Sequence, residues 1–515
     1  MFGAIDLSVP PQPGAIDLYP PSHKGTFSVL LDHFRFVEPV LSFSLRYAAY
    51  TAFASNRSTA PVLFYCGNEG ALELFYNASG GLFEHARALR ATVFFVEHRY
   101  YGESLPFGSD KSFTTEGLQW LTVEQALADY TQVIAALPGL LGCAGTGPRK
   151  AAILCDVVLW GGSYGGMLAA WHRLKFPSLS VGAIASGAPI DFYPAAFGSD
   201  AGRSHVQAAF LAAVVSTFDT YGGSRVATAG EGREDMGCGQ AMLAALTAAD
   251  SATPSELSEA GVRSCHPWRA DSPERYAFYA RGALADIALV DYPYPTNFIA
   301  PLPANPVRAA CRRLLAAPLS NRHSMLRSLH AAVLGLVNAS RDLRCVDLRA
   351  ELVGQPNSTD APRGGAIRGG AVGSSALGVV AWNYQACTEL PLEPLTSDGF
   401  GFFPPSDAQL AETAALCRER FGVAPRPGWL ALTFGRAAAF AQASNIVFAE
   451  NDKDPWHVGT RTVPPEGGVN GSVVRFVATG GAHHQDLRFS SPYDAPDVHR
   501  ARAYERRAIQ KWLLM

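Results

Sequence analysis

The most informative stretch of this chain is Gly161-Gly162-Ser163-Tyr164-Gly165-Gly166, because its residue types could turn a serine hydroxyl into a nucleophile. It follows the apolar run Val157-Val158-Leu159-Trp160 and leads into Met167-Leu168-Ala169-Ala170-Trp171. A buried strand, a Gly-x-Ser-x-Gly turn and a helix are the layout of a nucleophile elbow. The glycines are needed because the serine sits on a strained turn that neighbouring Cβ atoms would obstruct. The helix beginning there aims its N–H groups and positive dipole end at the place where an oxyanion would form. The alternative is a tight glycine turn with a bystander serine.

A serine alone is a poor nucleophile; it needs a base, and the base needs an orienting carboxylate. Two later strand-to-loop junctions supply both. Ile446-Val447-Phe448-Ala449 opens into Glu450-Asn451-Asp452-Lys453-Asp454-Pro455-Trp456, and Val473 to Ala478 opens into Gly480-Gly481-Ala482-His483-His484. Ser163, Asp454 and His483 then follow in the chain order of an α/β-hydrolase triad. Asp452 is a rival for the acid, and His98 and His457 also follow strands. The His483-His484 pair could be half of a metal site, but no second cluster has ligand spacing, so no metal and no cofactor are expected. The oxyanion hole is expected from the backbone N–H of Tyr164 and one from the Gly67–Asn68 turn.

These residues need a sheet to hold them. Short apolar runs recur at Pro61–Tyr65, Thr92–Val96, Val157–Trp160 and Val181–Ala185, with helical stretches at Leu121–Leu137 and Met167–Phe176 between them. Apolar strands alternating with helices predict a mostly parallel, doubly covered sheet. Residues 196–424 differ: alanine-rich helical stretches such as Val206–Thr217 and Ala241–Ala249 alternate with Gly/Pro-rich loops, and Arg363–Ser375 reads as a flexible Gly-rich insertion. The architecture expected is a leader at 1–24, Pro-rich and disordered; an α/β core at 25–195 and 425–515; and a helical cap inserted at 196–424. A final helix is predicted from about Pro496 to Leu514.

The bulk numbers agree with an ordinary globular protein. The 515 residues are 48% hydrophobic and 17% charged with a net charge of −3, which argues against nucleic acid as a partner. No 18-residue apolar stretch predicts a membrane span. The start, Met1-Phe2-Gly3-Ala4, lacks the basic and apolar regions of a signal peptide. Yet five of the twelve asparagines (Asn56, Asn77, Asn338, Asn357 and Asn470) lie in glycosylation sequons, which leans towards the secretory route. The start is therefore expected to be truncated or wrongly assigned. Of nine cysteines, Cys238, Cys265, Cys311, Cys345, Cys387 and Cys417 are expected to form three disulfides of undetermined pairing. Cys66 and Cys155, in apolar runs, are expected to be buried free thiols.

The same motifs resemble the proline-specific serine peptidases that include lysosomal Pro-X carboxypeptidase and dipeptidyl peptidase II. The matching stretches run from Leu31-Asp32-His33-Phe34 to the C-terminal helix. They include Gly67-Asn68-Glu69-Gly70, Glu97-His98-Arg99-Tyr100-Tyr101-Gly102, Tyr384-Gln385-Ala386-Cys387-Thr388-Glu389, Asp454-Pro455-Trp456 and Gly481-Ala482-His483-His484. The resemblance implies an α/β-hydrolase core with a helical cap, and places the nucleophile on Ser163, the acid on Asp454 and the base on His483. It also implies peptide substrates with a penultimate proline, in an acidic lysosome-like vesicle or outside the cell; a homodimer is left open. Three departures stand out. Asp452-Lys453 replaces Gly and an apolar residue, Cys66 stands where Thr is usual, and Asn383 occupies a position resembling an acid in dipeptidyl peptidase II.

The family cleaves after proline at either chain end. Asp291-Tyr292-Pro293-Tyr294-Pro295 and the residues after it are more similar to dipeptidyl peptidase II, so release of an N-terminal dipeptide is expected, with a Pro-X carboxypeptidase as the alternative. A dipeptidase needs a carboxylate for the substrate's ammonium, and Glu69 is the candidate. Met167 and Trp456 are expected to line a proline pocket. An esterase of the same fold and an inactive binding protein are the other readings; the intact Ser-Asp-His order argues against inactivity.

Overall fold

The computed structural model describes residues 9–145, 155–192, 203–221, 237–316, 318, 320–337, 345–348, 366–368, 378–390, 414–415, 417–426 and 428–515. Among the described residues nine strands build one sheet: β1 (His23–Leu30), β2 (Ser42–Tyr50), β3 (Val62–Tyr65), β4 (Thr92–Val96), β5 (Val157–Gly162) and β6 (Gly182–Ser186) come first. After β7 (Cys345–Asp347) and β8 (Ala366–Arg368), which form a separate two-stranded sheet, β9 (Ile446–Asn451), β10 (Glu466–Gly467) and β11 (Val473–Ala478) complete it. The order is β1-β2-β4-β3-β5-β6-β9-β11-β10. The run from β4 to β11 is parallel, and the antiparallel strands lie at the two edges. Strands β3, β4, β5, β6 and β9 are buried along their whole length. That is why they read as continuous apolar runs instead of alternating patterns. The sheet, its helices and the turn after β5 make an α/β-hydrolase fold.

β6 and β9 are hydrogen-bonded neighbours although about 260 residues separate them. Between them lie the helices Arg203–Asp219, Cys238–Asp250, Ser272–Leu289, Pro306–Leu314, Arg322–Val337 and Val379–Thr388. The C-terminal helix Pro496–Leu513 returns to the sheet and sets Trp512 against Gly182 of β6. Among the described residues no helix is long and apolar enough to cross a membrane.

Two expectations need correction. The leader is packed from residue 9 onward: Ala15–Leu18 is a short helix with Ala15 buried, and the Gln12 amide donates to Phe489 O at 2.6 Å. Tyr19 stacks on Phe83 at 5.2 Å, so a Pro-rich stretch with a few apolar anchors suffices to seal the sheet's side. Cys155 is not a free thiol. It is bonded to Cys143, 5.3 Å away between Cα atoms, because the helix Val123–Leu141 ends at Gly142 directly beside the entry to β5. The six later cysteines pair as Cys238–Cys311, Cys265–Cys345 and Cys387–Cys417, and Cys66 is free and buried. Most of Arg363–Ser375, together with Asn338 and Asn357, lies outside the described residues. Asn56 and Asn470 are exposed, whereas Asn77 is half-buried and its Oδ1 accepts from Ile16 N–H at 3.0 Å.

Candidate active site

Strand β5 ends at Gly162, and Ser163 takes φ 56° and ψ −125° before the helix Tyr164–Lys175 begins. A non-glycine residue held at such a conformation is strained and persists only where its surroundings over-determine it. Here they do. A Cβ on Gly161 would come within 2.1 Å of Gly165 O, and one on Gly165 within 2.2 Å of Asn68 Oδ1, so strand and helix can cross only as glycines. The Ser163 N–H donates to Ser186 O at 2.8 Å, fastening the turn to the end of β6. Within residues 155–173 Ser163 alone is not buried.

The expected acid and base, Asp454 and His483, stand on the loops after β9 and β11, the next parallel strands. Asp454 is fully buried; its Oδ2 lies 2.6 Å from His483 Nδ1, and its Oδ1 accepts from Trp456 N–H at 2.9 Å. The second bond caps the short helix Pro455–Thr460, so the carboxylate is held from both sides. Asp452 is exposed and accepts from Gly480 N–H at 2.7 Å, serving the turn and not the imidazole. His483 is 3% exposed. Its ring packs against Gly187, where a Cβ would lie 3.0 Å from Nδ1, one residue beyond the Ser186 carbonyl that binds Ser163 N–H. The elbow and the His483–Asp454 pair thus share the end of β6.

The other histidines have different surroundings. His98 is buried between Arg99 O and the Tyr164 hydroxyl, at 2.7 and 3.1 Å, and burial lowers its pKa to about 4. His457 meets the backbone O of Asp454, not its carboxylate. His484 lies 4.1 Å from the His483 ring between centroids, with Nδ1 3.2 Å from Arg488, and burial pushes its pKa well down.

The expected oxyanion residues flank the elbow. Tyr164 opens the helix after Ser163, and Gln385 donates to its hydroxyl at 2.9 Å. The Asn68 amide donates to Gly162 O at 2.7 Å, and its Oδ1 accepts from the Tyr65 hydroxyl at 2.8 Å. Its side chain therefore braces the elbow, which a reading of Asn68 as a backbone donor alone does not contain. Glu69 is half-buried beside it, 3.3 Å from the Asn68 amide. Burial raises its carboxyl above the ordinary range, against the pull of the Asn68 amide and of nearby His483.

Met167 is 1% exposed within the main apolar core. Trp456 is half-buried and makes edge contacts with Phe192 and Phe210 at 4.5 and 4.9 Å. Asn383 is buried on the helix Val379–Thr388, whose Trp382 ring stands edge-on to Tyr164 at 5.4 Å. Sequence reasoning did not find Gln385 as a partner of Tyr164, nor the stretch at residues 289–292 that touches His483. Both segments stood out in the sequence as family-like motifs, and Lys453 as an unusual charge, but none of the three was given a contact with the site.

Comparison with known proteins agrees with this geometry. The family described as Serine carboxypeptidase S28 matches residues 29–505. The chain is 30% identical over 520 residues to lysosomal Pro-X carboxypeptidase of Homo sapiens, across 98% of this chain and 92% of that protein. It is 32% identical over 463 residues to the Bos taurus protein of the same name, across 88% and 80%. Thymus-specific serine protease of Mus musculus is 29% identical over 468 residues, across 88% and 80%. With its serine elbow, its buried Asp–His pair and a match running through nearly the whole length, the chain belongs to the serine carboxypeptidase S28 family and is a serine-type peptidase.

Proposed function

We propose that this peptidase cleaves after proline at the amino-terminal end of peptides, releasing an X-Pro dipeptide through an acyl-enzyme on Ser163. The observation carrying the mechanism is the 2.6 Å contact between Asp454 Oδ2 and His483 Nδ1 beside the strained Ser163 turn. Ser163 Oγ attacks the carbonyl carbon of proline as His483 Nε2 takes its proton. Asp454 holds the other ring nitrogen and stabilises the imidazolium. The N–H of Tyr164 and one from the Gly67–Asn68 turn stabilise the oxyanion. His483 then protonates the leaving amine, the bond to nitrogen breaks, and water, deprotonated by His483, releases the dipeptide.

The direction rests on Glu69. Its carboxyl, beside the Asn68 amide and near His483, is raised by burial, and a substrate ammonium placed there would draw it into the ionised form and be held by it. Trp456 with Phe192 and Phe210 supplies an aromatic wall for proline, and Met167 backs the elbow from the core. A second reading, release of one C-terminal residue after proline, is favoured by the relatives named Pro-X carboxypeptidase and by the neutral Asn383. Four disulfides and those lysosomal relatives support a lysosomal or secreted protein.

The deciding experiment compares a chromogenic Ala-Pro amide with an N-blocked peptide ending in Pro-Phe. Faster turnover of Ala-Pro, with KM raised by Glu69→Gln, supports dipeptide release. Turnover of the blocked peptide alone overturns that direction and leaves the carboxypeptidase.

A further inference from the structure

The loops carrying Asp454 and His483 both meet one short stretch of the helical insertion. It is the end of the helix Ser272–Leu289 and the three residues after it, 289–292. Leu289 O accepts from His483 N–H at 3.0 Å, and the Tyr292 hydroxyl donates to His483 O at 2.9 Å. Between these contacts Asp291, its side chain fully buried, accepts from Lys453 Nζ at 3.0 Å. Asp291 also accepts from the Tyr221 hydroxyl at 2.7 Å and from Val307 N–H at 3.1 Å.

Lys453 immediately precedes Asp454. Its N–H donates to Gly481 O at 3.0 Å, two residues before His483, and its O accepts from Thr217 Oγ1 at 3.1 Å. Its Nζ reaches the Tyr221 hydroxyl as well, at 3.0 Å. Lys453 thus ties the acid loop to the base loop through its backbone and to the insertion through its side chain.

Such a pair is a poor device for stability, since an apolar pair of similar volume often does as well. What an ion pair with a buried carboxylate and two fixed hydrogen bonds on the ammonium provides is a defined distance and direction. A misplacement of about 1 Å in a catalytic group can cost on the order of 100-fold in rate. The observed arrangement controls that displacement, because the two halves of the Asp454–His483 contact hang on neighbouring residues of one turn.

We propose that Lys453 and Asp291 are positioning residues: their ion pair sets Asp454 against His483, whose backbone the same turn holds. The proposal rests on the assignment of Ser163, His483 and Asp454 as the reacting group. It implies that the reacting geometry is complete only while the insertion is seated on the core.

The test compares the full-length wild type with Lys453→Met, Asp291→Asn and the double variant. For each, kcat, KM, Tm and the rate of Ser163 phosphonylation by a small fluorophosphonate are measured. That probe uses the Ser163 nucleophile and its base but little of the peptide pocket. Lys453→Met should lower kcat and the phosphonylation rate together, by about 10- to 100-fold, with KM within about twofold. The double variant, with no unpaired buried charge, should recover Tm but not these rates. Wild-type rates in the double variant, or single variants that lose Tm alone, would overturn the proposal. Should the single variants not fold, the double variant decides by the same criterion. Failure of the wild type to be labelled at Ser163 would instead remove the underlying assignment.

Discussion

Asp454→Asn is the substitution that tests the site most sharply, because both carboxylate oxygens are engaged. Oδ2 faces His483 Nδ1 at 2.6 Å and Oδ1 faces Trp456 N–H at 2.9 Å. An asparagine has one acceptor and one donor end. If its oxygen takes the imidazole side, its NH₂ opposes the Trp456 N–H, and a helix cap worth about 1 kcal/mol is lost. If its NH₂ takes the imidazole side, Nδ1 must be the unprotonated nitrogen. Nε2 then carries the proton and cannot accept the one from Ser163. In either orientation no charge remains to stabilise imidazolium, and loss of that role costs roughly 10⁴-fold in kcat, about 5.5 kcal/mol. Asp452→Asn should change kcat by less than about threefold, since an amide oxygen can still accept from Gly480 N–H at this exposed position. The assay is kcat and KM on a chromogenic Ala-Pro or Pro-Phe substrate, whichever the wild type turns over, with a thermal melt of each variant. Equal, mild losses in both variants would refute the reasoning, as would a larger loss in Asp452→Asn.

Ser163→Ala should remove turnover by several orders of magnitude with an unchanged melt; more than a few per cent of residual activity in purified protein would exclude Ser163 as the nucleophile. Gly187→Ala should lower kcat about tenfold or more, because φ is +54° there and the added Cβ would press on His483 at 3.0 Å; wild-type kcat would show that this wall is not rigid. Burial raises Glu389 to about 8, Asp486 and Glu505 to about 7 and Glu450 further, and lowers His85 and His172 to about 3, His98 and His330 to about 4 and His484 well down. The carboxyls' contribution is fully present below about pH 4 and is lost as pH rises from there to about 7 to 8, whereas the histidines' is fully present above about pH 6.5 and is lost as pH falls from there to about 3 to 4. The two slopes oppose each other between about pH 4.5 and 6.5, so Tm should change little there and decline on both sides; a steady climb to pH 8 would contradict this.

Local pattern made much of the core legible. The parallel strands are buried on both faces, so β3, β4, β5, β6 and β9 appear as apolar runs with turn residues after them. The elbow was legible because only glycines permit the approach of Gly161 to Gly165 and of Gly165 to Asn68, and such crowding leaves its mark on composition. The helix Tyr164–Lys175 and the C-terminal helix Pro496–Leu513 likewise announce themselves by uninterrupted helical stretches. The apolar run around Cys155 misled for the same reason: burial favours a free thiol and a disulfide alike, and only the fold says that Cys143 is its neighbour.

The family-like Asp454-Pro455-Trp456 motif had implied which acidic side chain serves His483, but its contact with the imidazole is a matter of tertiary structure. Asp452 and Asp454 differ by two positions on one loop, and nothing local distinguishes a carboxylate that caps a turn from one that meets an imidazole. The same holds for Lys453, whose charge looks out of place until Asp291, 162 residues away along the chain, is seen beneath it. It holds too for His483, whose backbone is fixed by Leu289 and Tyr292. Backbone preference and burial are properties of a few consecutive residues and so are written locally. Hydrogen bonds and ion pairs between distant loops depend on where the whole sheet and its insertion bring those loops together, and that placement exists only in the folded chain.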